Sequence, residues 1–136
     1  MPFEQFEHTA DVGINAWGPN IEEAFSEAGK GLYSIITDLD KVDCIIEEEI
    51  EIKEDNLETL IVKFLSELIY LFEVKSYLFC DFDVNIKKNE ELELKVIAKG
   101  EEMDLNKHDM DTAVKGVSYH DIKVDPKGEI KVLFDV

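Results

Sequence analysis

Leu78-Phe79-Cys80-Asp81-Phe82-Asp83-Val84-Asn85-Ile86 decides the fold. Leu78, Cys80, Phe82, Val84 and Ile86 recur at every second position, the period of a strand with one face on a core. After Lys88-Asn89 the pattern resumes at Leu92, Leu94, Val96 and Ala98, so the two runs read as an antiparallel hairpin. Upstream the period changes. Ile21, Ala24, Phe25, Ala28, Leu32, Ile35 and Ile36 fall on one helical face, with Asn20 as a cap and Glu23 at the capping-box position. Leu57, Leu60, Ile61, Phe64, Leu65, Leu68, Ile69 and Phe72 mark a second helix, started by Asp55 and Glu58. Val12, Ile14 and Ala16 share a strand face, and Ile46, Ile50 and Ile52 mark another strand. Downstream, Ala113 to Lys123 and Glu129 to Phe134 read as strands joined through Asp125-Pro126-Lys127-Gly128. Helices in the first half and strands crowding the second predict an α+β fold, a mostly antiparallel sheet packed with two main helices.

The chain of 136 residues is long enough for one hydrophobic core, so residues 1–136 are expected to form a single domain. Its formal charge is −18, and all 14 basic residues are lysine. Without arginine the chain lacks the planar fork that grips phosphates and guanine, and its field repels a phosphate backbone. Tight, direct nucleic-acid binding is therefore not expected; a cation or a basic protein is the easier partner. Cys44 and Cys80 form no CxxC motif and are expected to be separate, small buried hydrophobes. Glu4 and Glu7 break any leader-like apolar run, and no stretch approaches the roughly 20 apolar residues of a membrane span. A cytoplasmic location is expected by default. Gly29 and Gly31 sit inside the first helical pattern, where each costs ~1 kcal/mol relative to alanine, so close packing against the sheet is expected there.

No GxGxxG, Walker loop, HExxH or GxSxG occurs. Chemistry concentrates at two ends of the chain, Glu7-His8-Thr9-Ala10-Asp11 and Asp135-Val136. Asp11, Asp135 and the Val136 α-carboxylate offer three hard oxygen ligands if they meet, suited to Ca²⁺, Mg²⁺ or Mn²⁺ rather than zinc. His8 reads as a neighbouring ligand, a general base or an ordinary strand histidine. Val114-Lys115-Gly116-Val117-Ser118-Tyr119-His120 places Lys115, Val117 and Tyr119 on one strand face and Gly116, Ser118 and His120 on the other. That segment could bind phosphate or do acid-base work, or could be an exposed edge strand protected by its lysine.

Phe6-Glu7-His8-Thr9-Ala10-Asp11-Val12-Gly13-Ile14 resembles the archease signature. The likeness continues in order through Ala16-Trp17-Gly18, Ile21-Glu22-Glu23-Ala24-Phe25, Leu65-Ser66-Glu67-Leu68-Ile69, Gly100-Glu101, the segment Val114 to His120, and Asp135-Val136. Gly116 and Ser118 depart mildly from the more usual alanine and threonine. The resemblance implies a two-layer α+β accessory protein rather than an enzyme. It would activate an RtcB-type RNA ligase in tRNA splicing and RNA repair, promoting guanylylation of the ligase and its multiple turnover. It implies metal ligands at Asp11, Asp135 and Val136, with Ca²⁺ the first choice and Mg²⁺ or Mn²⁺ as alternatives. Lys115 is a further functional position, followed by His8, Asp38 and His120. The alternatives are a chaperone or modulator of a tRNA methyltransferase and a stand-alone metal-dependent phosphoester hydrolase.

Overall fold

Two asparagine side chains set where the helices begin. In a computed structural model describing residues 2–8 and 11–136, without the side chains of Glu7 and His8, Asn20 Oδ1 accepts the Glu23 N–H at 2.9 Å. Helix α1 (Ile21–Ile36) follows as its apolar spacing predicts. Helix α2 (Leu57–Lys75) is capped by Asn56, whose Oδ1 accepts the Thr59 N–H at 2.8 Å, and not by Asp55. The reason is register: the apolar stripe starts at the partly buried Leu57, so the residue immediately before it takes the cap.

The strands are β1 (Phe3–His8), β2 (Asp11–Trp17), β3 (Ile46–Glu54), β4 (Tyr77–Lys88), β5 (Leu92–Glu102), β6 (Gly116–Asp125) and β7 (Glu129–Asp135). They form two sheets, ordered β1-β2-β7-β6 and β3-β5-β4, with every neighbouring pair antiparallel. The fold is α+β, two helices packed on antiparallel sheets. Each helix touches both sheets, and one contiguous apolar cluster joins Phe25, Leu32, Phe64, Leu68, Phe82, Val96 and Phe134. The buried Tyr33 hydroxyl donates to the Leu68 carbonyl at 3.0 Å, fixing α1 against α2. The helical glycines permit close approach. A Cβ on Gly29 would lie 2.7 Å from Phe82 Cε2, and one on Gly31 2.8 Å from Ile14 Cγ2. The acidic run of β3 lies on a sheet edge with Glu47, Glu49 and Glu51 exposed. No helix is long and apolar enough to cross a membrane among the described residues.

Three expectations need correction. Cys44 and Cys80 are joined by a disulfide, with Cys44 exposed rather than buried. A spacing of 36 residues conceals the contact because it arises only where the β3–β5–β4 order folds the chain back on itself. β6 begins at Gly116, not Ala113, since the preceding segment is used elsewhere. The Asp111 and Thr112 N–H groups donate to the Ile36 and Ile35 carbonyls at the end of α1. Finally, the β6 register shifts between Ser118 and Lys123, with Asp121 left-handed at φ 55°. Strict alternation therefore does not carry from Lys115 to His120. At the far end, Gly128 adopts φ 130° in the turn to β7, and its carbonyl accepts the Gly18 N–H at 3.0 Å.

Candidate metal centre

Strand parity builds the site. Ile14 and Ala16 of β2, and Ile130, Val132 and Phe134 of β7, point inward and are buried. Asp11 and Asp135 have the opposite parity and so stand on the outer face. They are direct partners across the β2–β7 ladder, where like charges repel and destabilise the pair. Gly116 is the partner of Asp135 on the other side. A Cβ at Gly116 would lie 3.8 Å from Asp135 Oδ2, an ordinary contact distance, so this position adjoins the carboxylate. The Lys115 N–H donates to the Asp135 carbonyl at 2.8 Å, which holds the exposed Lys115 beside the pair. Val136 packs its side chain against the core, anchoring the backbone next to Asp135.

Thus the structure brings together Asp11, Asp135, Gly116 and the backbone of Lys115. His8 is the backbone partner of Asp11 in the β1–β2 ladder; its side chain, and Thr9 and Ala10, lie outside the described residues. Among the described residues His120 does not join the row: it sits in the shifted part of β6, exposed, with Nε2 3.3 Å from Asp121 Oδ2. Asp38 does not join it either. Its Oδ1 accepts the Asp40 N–H at 3.1 Å, capping a short 3-10 turn, Leu39–Lys41. No group of three or more His, Cys, Asp or Glu residues is placed to hold a metal among the described residues. The candidate set that the strand register pairs is accordingly the two aspartates, Asp11 and Asp135. All its donors are oxygen, which fits a hard divalent cation, and a cation between Asp11 and Asp135 would offset their repulsion.

A second polar cluster was missed in the sequence. Lys107 Nζ lies 2.6 Å from Asp43 Oδ2 and 2.7 Å from Glu101 Oε2. The Asp43 N–H also donates to Glu101 Oε2. Hydrogen bonding to Lys107, then its charge, holds the Asp43 carboxyl below its ordinary range. Burial pushes Glu101 up, but hydrogen bonds from Lys107 and the Asp43 backbone outweigh it, so Glu101 too titrates low. The same bonds raise Lys107. Beneath them the buried His108 accepts the Asp104 N–H at Nδ1, 3.0 Å, and turns Nε2 toward Glu101 Oε2 at 3.6 Å. The cluster pins the loop after β5 to the segment before β3. Gly100-Glu101 was its only trace in the sequence, since 58 positions separate Asp43 from Glu101.

Fold and site define a small α+β protein that presents a carboxylate pair at the end of an antiparallel sheet. The chain belongs to the archease protein family, which it matches over residues 3–136. It is 38% identical to protein archease of Pyrococcus abyssi over 124 residues, covering 90% of this chain and 87% of that protein. It is 41% identical to the Sulfurisphaera tokodaii archease over 132 residues, covering 96% and 94%. The archease-like protein of Drosophila melanogaster is 37% identical over 130 residues, covering 91% and 80%. The solution structure of Methanobacterium thermoautotrophicum protein 1598 superposes with a TM-score of 0.86 at 31% identity, covering 99% of each chain. A Thermotoga maritima crystal structure, described as an archease and possible chaperone, shares the fold with a TM-score of 0.59 at 21% identity, covering 98% and 96%.

Proposed function

We propose that this protein is a non-catalytic activator of an RtcB-type RNA ligase in tRNA splicing and RNA repair, promoting ligase guanylylation and repeated turnover. The observation that carries the reading is the direct pairing of Asp11 with Asp135, flanked by Lys115. The ligands are Asp11, Asp135 and the Val136 α-carboxylate, with Ca²⁺ preferred over Mg²⁺ or Mn²⁺. A divalent ion held there supplies positive charge and open coordination positions for phosphate oxygens. Lys115 adds a second positive group beside the pair. His8, by its register opposite Asp11, is the next residue to test; His120, in the shifted part of β6, and Asp38, which caps a 3-10 turn, rank behind.

The net charge of −18 favours a basic protein partner over naked RNA. A cytoplasmic location belongs to this reading. The Cys44–Cys80 bridge stands against it, because intracellular disulfides are rare outside hyperthermophiles. The test is a ligation assay with limiting ligase. Wild-type protein should raise guanylylation and multiple-turnover ligation, and D11A and K115A should lose the effect while remaining folded. Turnover of RNA by the protein alone, dependent on Asp11, would replace this reading with the hydrolase. The second reading is a chaperone or modulator of an RNA methyltransferase. It requires protection of that enzyme from aggregation with no ligase present.

A further inference from the structure

The outer faces of the two sheets are charged in opposite ways. On the three-stranded sheet, lysines face acids across the ladder: Lys53 pairs with Glu93, Lys95 with Glu51, and Lys99 with Glu47 and Asp81. Salt bridges form at Lys53–Glu93, Lys95–Glu51 and Lys99–Asp83. That face satisfies itself. On the four-stranded sheet the charged cross-strand partners match in sign: Asp11 faces Asp135, Lys123 faces Lys131, and Asp125 faces Glu129. Such pairs are destabilising. Lys123 and Lys131 make no ion pair among the described residues. Lys131 Nζ lies instead 5.4 Å above the Phe6 ring. Asp125 Oδ1 accepts the Lys127 N–H at 2.9 Å.

The lysine and second acidic rows, with Trp17, line an open groove of about 510 Å³. Trp17 is 41% exposed there, and it is the sole tryptophan of the chain. Trp17 lies six positions along β2 from Asp11, about 20 Å at roughly 3.4 Å per residue. One face thus carries an acidic row, a basic row, a second acidic row and an exposed indole.

We propose that this outer face, along the groove at Trp17, is the docking surface for a folded partner protein that sets an acidic patch against Lys123 and Lys131, a basic patch against Asp125 and Glu129, and a pocket around Trp17. This rests on the reading above, that the protein acts on a partner enzyme. Complementary patches would convert two repulsive pairs, Lys123–Lys131 and Asp125–Glu129, into attractive contacts and set the register of the complex. An exposed tryptophan is the side chain best suited to anchor it. Nucleic acid fits poorly, since the Asp125–Glu129 row repels phosphate and the chain has no arginine to grip it. A second copy is opposed by the charge of −18 on each chain.

Incorporation of 5-fluorotryptophan gives a single ¹⁹F resonance, from position 17. Adding unlabelled RtcB-type ligase should shift or broaden that line. K123E/K131E should weaken the complex at least tenfold by calorimetry, whereas the swap E51K/K95E on the other sheet should leave affinity unchanged. Calorimetric binding with an unmoved ¹⁹F line and full affinity in K123E/K131E would overturn the docking face while leaving the activator reading intact. Absence of any ligase binding would remove the activator reading, and this inference with it. A line shifted by single-stranded RNA alone, or a dimer in sedimentation that K123E/K131E dissolves, would assign the face to another occupant and overturn the proposal.

Discussion

Asp11 and Asp135 are direct partners across the β2–β7 ladder, so two carboxylates oppose each other at the end of a sheet. In metal-stripped protein their repulsion should cost about 0.2–1 kcal/mol. Asp11→Asn should therefore raise stability in chelator, measured by urea unfolding, and lower it relative to wild type in excess Ca²⁺, where ligand binding stabilises the native state. Calorimetric titration should show about one site in wild type, lost in D11N and D135N. Undiminished binding in both variants would sink the site.

The second prediction concerns Val136. Residues appended after it replace the α-carboxylate with an amide, so a C-terminal extension should weaken Ca²⁺ binding and ligase stimulation more than an N-terminal one. Ile130, Val132 and Phe134 are buried in the same strand, so thermal unfolding must first show both forms equally stable. Equal Ca²⁺ affinity in the two forms would remove Val136 from the ligand set.

Lys107 should govern the pH dependence of stability. Asp43 and Glu101 are held low in the folded state, so their contribution is present above the ordinary carboxylate range and lost as pH falls through the depressed values. Lys107 is raised, so its contribution is present below its ordinary value and lost as pH rises through the higher one. Lys107→Met should lower stability at neutral pH and flatten both limbs. Urea midpoints across the acid and alkaline ranges read this directly; a pH profile parallel to wild type would refute it.

Cys44 and Cys80 close a loop with a sequence separation of 36. On the chain-entropy account that constraint stabilises the native state by about 4 kcal/mol. Reductant should lower the unfolding temperature of wild type and leave C44S/C80S unchanged. Thiol titration of denatured, unreduced protein should find no free cysteine, in keeping with their pairing. Reactive thiols in that sample, or a transition indifferent to reductant, would contradict the bridge.

The sequence by itself determined the local elements. Period-two runs from Leu78 and Leu92 became β4 and β5, the apolar stripes from Ile21 and Leu57 became α1 and α2, and Gly29 and Gly31 met Phe82 and Ile14 as close packing requires. These features are legible because side-chain periodicity and caps act over a few residues. Only the tertiary structure decided that the strands divide into two sheets, that Cys44 meets Cys80, that Lys107 ties Asp43 to Glu101, and that Asp11 faces Asp135. Register is the physical reason. A slip of one residue turns every side chain of a strand to the other face, and burying Ile14, Val132 and Phe134 selects the alignment in which both aspartates point outward together. Nothing within a few residues of Asp11 or Asp135 encodes that alignment, because 124 positions of chain must pack before the two can meet.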